Sequence, residues 1–517
     1  MWHKFKNIGV VSLFTVGSRV LGLVRDILIF ASLGAGIWNS AFILAFTLPN
    51  LFRRLLGEGA LTSALIPVFT GVLREEGRAS AFQVFNQLFI RLCVVLLVTV
   101  SAGIGLLGLL EAAGLLSERW RLGAELSSLL LPYMIFICLA AILSAGLQCL
   151  GRFAVAASTP VLLNLAMIGA LGAAHFLETS ERATVYWLCG GVLVGGFLQM
   201  ALPGADLIRQ GWRPGISRQS SAALGRLWSL FLPGLLGAAI LQVNILVSRL
   251  LAYSLDASSV SVLYLASRLM ELPLGIFTIA VVTVYFPLLS RLAGEGDTGG
   301  FRQSFGEGIQ LIIAITIPAG IGLAVLAQPI LSLLFQWGAF EARDVAATLP
   351  LLVIYGFGLP VYSIATFATR GLHAGQDMVT PVRIAAVCLI TNAALGLGLM
   401  QLFGAAGLAL GNVLSALLQA VLLWRAINRS ELDLSGLRLS RSIIQVCLSG
   451  LIMGLFCWIA ANWISVWTNP GKVRHLLSLV LLIPGGVVVF FSVLNLLKYE
   501  AMETLKQIVL DRFRTRR

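Results

Sequence analysis

Charge is what this chain has least of. Only 11% of its 517 residues are Asp, Glu, Lys or Arg, against about 25% in an ordinary soluble domain. A soluble protein of this length would fold as roughly three domains, each with a polar skin. Too few charges are present to make one, which excludes soluble enzymes and disordered scaffolds as classes. Histidine is scarcer still: His3, His175, His373 and His475 lie far apart, without zinc-ligand spacing. The seven cysteines include no Cys-x-x-Cys and all fall in apolar stretches, so they read as small core residues. No Gly-x4-Gly-Lys-[Ser/Thr] phosphate loop is present, nor Asp-x-Asp, His-Glu-x-x-His or Gly-x-Ser-x-Gly. ATP hydrolysis by that cradle, and glycosyltransferase, zincin and esterase chemistry, lose their motifs. The reading is a non-enzyme with no cofactor and no metal site.

What is present instead is apolar: 58% of the residues are hydrophobic. A bilayer core about 30 Å thick needs roughly 20 apolar residues per helix. Windows of that kind number about fourteen, near 8–33, 38–72, 82–111, 122–150, 158–177, 184–208, 224–253, 257–290, 303–327, 344–370, 379–402, 405–427, 441–465 and 475–497. The fold class is therefore an all-α polytopic membrane protein. The first window is interrupted by Arg19 and has no small-residue cleavage site, so no removable signal peptide is expected.

The net charge of +13 would point to nucleic acid in a soluble protein; here loop charge explains it, and no nucleic-acid partner is expected. Fourteen spans put both termini on one side. That side carries 23 Lys and Arg in its loops and tails, and the other side carries 6. The bias places both termini in the cytoplasm.

Seven basic residues remain inside the windows, all arginine: Arg19, Arg25, Arg53, Arg54, Arg91, Arg249 and Arg268. Arg91 and Arg249 fall near span ends, where the side chain can snorkel to headgroups. Each of the other five costs about 2.5–3.5 kcal/mol at a helix centre on the translocon scale. Asp26, Glu58 and Glu271 offset part of that, and Arg54 with Glu58 at i,i+4 suits a structural ion pair. Positive charge is left over, and it calls for water or an anion.

Two long spans repeat a pattern. Leu48-Pro49 with later Pro67 matches Leu272-Pro273 with later Pro287, and a basic loop follows each. Six spans separate the two, so spans 1–6 and 7–12 read as parallel halves around a central cavity, a transporter arrangement. The expected division is 1–223, 224–430, and 431–517 for spans 13 and 14 with a basic amphipathic tail. That tail, rich in Lys506, Arg512, Arg514, Arg516 and Arg517, suits an anionic leaflet.

Charge concentrates in Ser18-Arg19-Val20-Leu21-Gly22-Leu23-Val24-Arg25-Asp26 and in Leu48-Pro49-Asn50-Leu51-Phe52-Arg53-Arg54-Leu55-Leu56-Gly57-Glu58-Gly59-Ala60. At 100° per residue Arg19 and Asp26 share a face and Arg25 lies about 120° round. Gly22, Pro49, Gly57 and Gly59 make both helices bendable.

These motifs, with Arg268-Leu269-Met270-Glu271-Leu272-Pro273, Leu334–Phe340 and Gln376–Val382, resemble the MurJ (MviN) lipid II flippases of bacteria. The resemblance runs along essentially the whole chain. It implies the multidrug/oligosaccharidyl-lipid/polysaccharide exporter fold, two six-helix lobes, and a lipid-tail groove formed by two extra C-terminal helices. It also implies an inner-membrane protein that moves lipid II from the cytoplasmic to the periplasmic leaflet by alternating access. Membrane lipids surround it, and the cell-wall synthesis machinery is a candidate partner. The substrate-binding residues implied are Arg19, Arg25, Arg53 and Arg268, supported by Asp26, Glu58, Glu271 and Ser18. Arginine over lysine fits bidentate pairing with a pyrophosphate.

The chain also departs from the pattern. Several relatives have a carboxylate at Ser40, a lysine at Thr47 and an aspartate at Ser267, and some sodium-binding relatives have a carboxylate near Ser248. Asp377 is kept. The missing seventh-helix acid weakens the case for a sodium site, so coupling stays open between membrane potential and ions. The alternatives are an exporter of another polyprenyl-pyrophosphate-linked oligosaccharide, a drug or cation antiporter of the same fold, whose cavity would carry acids, and a non-transporting scaffold.

Overall fold

The computed structural model describes residues 2–57, 60–215, 222–430, 432, 434, 437 and 439–499, and it is helical throughout. In chain order the helices are α1 (Trp2–Leu33), α2 (Ile37–Phe52), α3 (Ala60–Glu75), α4 (Arg78–Ala112), α5 (Glu118–Leu130), α6 (Tyr133–Cys149), α7 (Phe153–Phe176), α8 (Glu181–Arg209) and α9 (Ala222–Leu255). They continue as α10 (Ser259–Pro273), α11 (Ile279–Gly294), α12 (Thr298–Val325), α13 (Ala327–Leu334), α14 (Ala342–Ala374), α15 (Val379–Arg429), α16 (Ser440–Trp467) and α17 (Lys472–Leu496). Among the described residues, eleven helical stretches are long and apolar enough to cross a membrane. One of them, α15, is two helices joined at Gly404, whose φ of +56° breaks the helical path, as the two adjacent apolar windows require.

Three details differ from the apolar windows. The window 122–150 is two helices, because Pro132 follows α5 and cannot donate to its last turn. A short helix, α13, follows α12 directly where the windows end. Both Leu-Pro spans are interrupted by a π-helical turn, at Arg53–Gly57 and at Leu274–Thr278. Such turns mark helices that bend, and they recur at functional sites. The tail expected to lie on the leaflet falls outside the described residues from Glu500 onward, as do 216–221 in the loop before α9.

Packing groups the chain into two units, Met1–Ser261 with Trp337–Phe340, and Val262–Gln336 with Glu341–Arg517. The expected cuts at 223/224 and 430/431 follow the repeat and the hydropathy pattern. The packing cut falls later because α9 lies against α2, α3 and the first π turn, and no third unit separates because α16 packs on α12.

In the first unit α8 fits closely on α7: a Cβ at Gly191 would meet Ala170 at 2.7 Å, and one at Gly195 would meet Leu163 at 2.9 Å. Small residues four apart let membrane helices approach this way. The Trp337-Gly338-Ala339-Phe340 segment closes onto the end of α1. Ala339 N–H donates to the Ala31 carbonyl at 2.7 Å, and Phe340 meets Phe30 edge-on with ring centres 5.4 Å apart. Gly34 and Gly338, with φ of +58° and +54°, make the approach possible: a Cβ on Gly34 would sit 2.6 Å from the Ala339 oxygen. In the second unit Phe301, Phe305, Phe367, Leu423 and Ile427 form one core, and Val446, Met453, Cys457, Leu482 and Phe490 a second. Large apolar side chains also face outward, among them Leu109, Leu451 and Val480, as a lipid-facing surface requires.

Candidate functional site

Arg25 is the most enclosed of the intramembrane arginines, 8% exposed, and its neighbour Asp26 is 2% exposed. The Arg25 Nε and Nη2 both donate to Asp26 Oδ1, at 3.1 and 2.7 Å, and Nη1 donates to Asn164 Oδ1 at 3.0 Å. Asn164 on α7 completes the network, its Nδ2 donating to the Ser18 carbonyl at 3.0 Å. Helical spacing had put Asp26 on the face of Arg19. The long arginine side chain wraps back to the carboxylate beside it instead, because burial leaves neither charge a cheaper solution. Ser18 takes part through its backbone; its hydroxyl donates to the Thr15 carbonyl at 3.0 Å. Arg19 is exposed on α1, as are Val16 and Val20.

Arg53 opens the first π turn and is partly buried, with Nε 3.4 Å from Asn50 Oδ1. Asn50 in turn donates from Nδ2 to the Phe46 carbonyl at 2.9 Å. Tyr133, at the start of α6, is fully buried. That ring stacks on Phe46, and its hydroxyl lies 3.3 Å from Gln199 Oε1. Arg54 is exposed. Its expected partner Glu58 lies outside the described residues.

In the second unit Arg268 meets Glu271 one turn along α10, Nη1 to Oε2 at 3.4 Å, with the side chains 35% and 48% exposed. The second π turn follows directly and is tied to α14 by the Thr278 hydroxyl donating to Ser363 at 2.8 Å. Among the described residues no group of three or more His, Cys, Asp or Glu could hold a metal ion.

Of the positions that depart from the resemblance, Ser40, Ser267 and Thr47 make hydrogen bonds within the fold. Ser40 and Ser261, both fully buried, share a hydroxyl hydrogen bond of 2.6 Å, and Ser261 lies 3.0 Å from the Ala35 carbonyl. Ser267 donates to the Tyr264 carbonyl of its own helix at 2.9 Å. Thr47 accepts a hydrogen bond from the Arg249 guanidinium. Asp377 receives the backbone N–H of Val379 and Thr380 at the start of α15, at 3.1 and 2.9 Å. Burial would raise its carboxyl, but those hydrogen bonds, the Thr380 hydroxyl and the Arg383 charge outweigh it and hold it below the usual value.

Sequence reasoning missed three residues. Asn164 was invisible because a single amide in an apolar span has no spacing signature. Arg249 was set aside as a span-end residue. Lys472 donates to the carbonyls of Ser332 and Gln336 and so closes the end of α13, a helix the apolar windows did not contain.

A family model described as "Lipid II flippase MurJ" matches residues 29–482. A "Probable lipid II flippase MurJ" of Vibrio cholerae is 33% identical over 514 residues, covering 94% of this chain and 95% of that protein. Its counterpart of the same description in Haemophilus influenzae is 32% identical, covering 93% and 98%. Among solved structures, "Lipid II flippase MurJ, inward closed conformation" superposes with a TM-score of 0.77 over 96% of this chain and 99% of that one, at 24% identity. An inward-facing multidrug resistance MATE transporter of the MOP superfamily gives 0.63 over 81% and 96%, at 14% identity. These two likenesses concern the fold.

Proposed function

The chain belongs to the lipid II flippase MurJ family, and from that premise we propose that it is a flippase carrying lipid II from the cytoplasmic to the periplasmic leaflet of the bacterial inner membrane. The observation that carries this reading is the family match over residues 29–482. The cations inside the helices add chemical support. A drug or cation exporter would need acids there; this chain holds arginines.

Arg19, Arg25, Arg53 and Arg268 each supply a guanidinium to the pyrophosphate during an alternating-access cycle. Planar forks match phosphate oxygens two at a time. Carboxylates partner two of these arginines: Asp26 holds Arg25 at 2.7 Å, and Glu271 holds Arg268 at 3.4 Å. Glu58, outside the described residues, is assigned the same role. The two π turns supply the bending. The prenyl tail stays in lipid, so only the headgroup needs a polar path. Both termini are cytoplasmic in this reading. The membrane potential contributes about 2.3 kcal/mol per net charge crossed per 100 mV, and the departures at Ser40 and Ser248 leave potential a better coupling source than a sodium site.

The test is rescue of a strain depleted of its own lipid II flippase, with lipid-linked precursor measured separately in each leaflet. Restored periplasmic exposure of lipid II is the expected result. Selective movement of a different polyprenyl-pyrophosphate-linked sugar would move the assignment to that exporter class.

A further inference from the structure

We propose that the π turn at Leu274–Thr278 is a rotary joint: during the transport cycle it converts to α-helix and turns α10, with Arg268 and Glu271, by about 100° about its own axis. The inference rests on the flippase reading above and goes beyond it, since it gives the second π turn a motion other than bending.

The two ends of the turn are held unequally. At its last residue the Thr278 hydroxyl donates to Ser363 Oγ at 2.8 Å, and the Ser363 hydroxyl donates to the Leu359 carbonyl at 2.8 Å. Both residues are fully buried, and the turn and α11 lie against α12 and α14. At the other end stands Pro273, which has no N–H to donate and whose ring crowds the Leu269 carbonyl one turn back. A buried hydroxyl pair adds little net stability over an apolar pair of the same shape. It does fix register, as a single polar residue does in a coiled-coil seam. A pin at one end and a proline break at the other is the arrangement that a change of register needs.

A π turn bonds each residue to the fifth along instead of the fourth, so it takes up about one residue more than an α-helical turn. Returning it to α-helix with Thr278 fixed moves every side chain of α10 to the place of its N-terminal neighbour, a turn of about 100° and a shift of about 1.5 Å. The two faces of α10 make such a step visible. Tyr264, Ser267, Arg268 and Glu271, at i, i+3, i+4 and i+7, form a partly or fully exposed stripe, whereas Leu265, Ala266, Leu269 and Met270 are buried. After one step Arg268 stands where Ser267 stood, still on the exposed stripe. Glu271 takes the place of Met270 and keeps Arg268 as its i,i+3 partner, which offsets part of the cost of burying it. The step therefore changes which member of the pair is presented.

A tilt or a bend of α10 moves side chains at one depth the same way, whereas a turn moves them oppositely. Full-length Leu265→Cys, Ala266→Cys and Ser267→Cys proteins are placed in vesicles with and without lipid II. Labelling by N-ethylmaleimide is read peptide by peptide, so the native cysteines stay in place. With lipid II, labelling should rise about threefold at position 265, fall about threefold at 267 and stay low at 266, because the helical period sets which of them reaches the exposed stripe. Changes of one sign at 265 and 267, or no change, overturn the proposal. Flipping is measured on the same vesicles: flipping without the opposed changes overturns this inference alone, and no flipping overturns the flippase reading and this inference with it. Should Leu265→Cys fail to fold, the double variant Thr278→Val with Ser363→Ala decides. A mere tie between α11 and α14 predicts an unchanged flipping rate once the pair is apolar, whereas a joint without its fixed end predicts a rate about tenfold lower at an unchanged thermal midpoint. An unchanged rate in the folded double variant overturns the proposal.

Discussion

Arg25 in the first unit and Arg268 in the second belong to the same short set of intramembrane arginines, yet their surroundings are opposite. Arg25 is sealed in, with two of its N–H groups on one carboxylate oxygen and a third on the Asn164 amide. Arg268 is more than a third open, and its contact to Glu271 is long, 3.4 Å. The first arrangement meets the desolvation cost of a buried charge with several short hydrogen bonds. The second leaves both partners open to solvent, so it bears far less of that cost. The π turns differ in the same sense. Arg53 lies inside the first, whereas Arg268 ends its pair before the second begins, and that second turn is held by the buried Thr278–Ser363 hydrogen bond. Charge type thus identifies a candidate; burial decides how much stability its ion pair carries.

Breaking the sealed pair should have the largest effect. Asp26→Ala leaves Arg25 buried beside an empty acid position, and about 3–5 kcal/mol of stability should be lost, read as a fall in the thermal midpoint of the purified protein. Replacing both partners, Arg25→Met with Asp26→Leu, should recover most of that stability while transport stays lost. A double variant no more stable than Asp26→Ala would show that the pair is not the source of the cost. Next in size is Asn164→Leu, which keeps the volume and removes one hydrogen bond to a charged group, about 1.5–3 kcal/mol. A loss below 0.5 kcal/mol, on the order of the noise for surface changes, would mean that Asp26 alone fixes Arg25.

Much of this was legible in the sequence, for particular reasons. Hydropathy marked the helices because a bilayer demands apolar length, and even the Gly404 break fell between two windows. Rare charge in apolar helices is expensive, so Arg25, Asp26, Arg53, Arg268 and Glu271 stood out before any coordinates. Partner choice was not legible. Helical angles paired Asp26 with Arg19, but angles describe where Cβ points, and an arginine reaches several ångströms beyond it. Asn164 could not be found because it is an ordinary polar residue until a guanidinium from a distant helix arrives, and Thr47 was marked only as a departure from the family pattern. The Gln376–Val382 and Leu334–Phe340 motifs signalled resemblance without showing their use. In the structure Asp377 opens α15, and 337–340 closes onto α1.

Sharpening the comparison at the open pair calls for a transport readout. Arg268→Gln removes a charge-assisted bond to the proposed pyrophosphate, so initial flipping should fall about tenfold, at a stability cost below about 1 kcal/mol because the pair is exposed. Glu271→Gln should leave stability equally untouched. A fall in thermal midpoint at Arg268 as large as that at Asp26 would erase the distinction between the two sites.

The smallest effect belongs to Asp377, a carboxylate whose partners are mainly backbone N–H groups, and it sets the floor for what losing an acid costs in this fold. Asp377→Ala removes two hydrogen bonds at a helix start, about 0.5–1 kcal/mol. The pH dependence follows from the lowered carboxyl. The unfolded chain binds the proton more readily, with a value of about 3.9, so the contribution is complete above that pH and is lost as pH falls through the lower folded value. Asp377→Asn should keep most of the stability, since an amide oxygen accepts the same N–H groups, and should lose this acid-side slope. Thermal midpoints of the two proteins between pH 3 and pH 6, a window of about one to two units around the unfolded value, check it. The two midpoint curves should run parallel at the upper end and converge at the lower. A difference that widened as the pH fell would show that the protonated carboxyl is the form this helix start prefers.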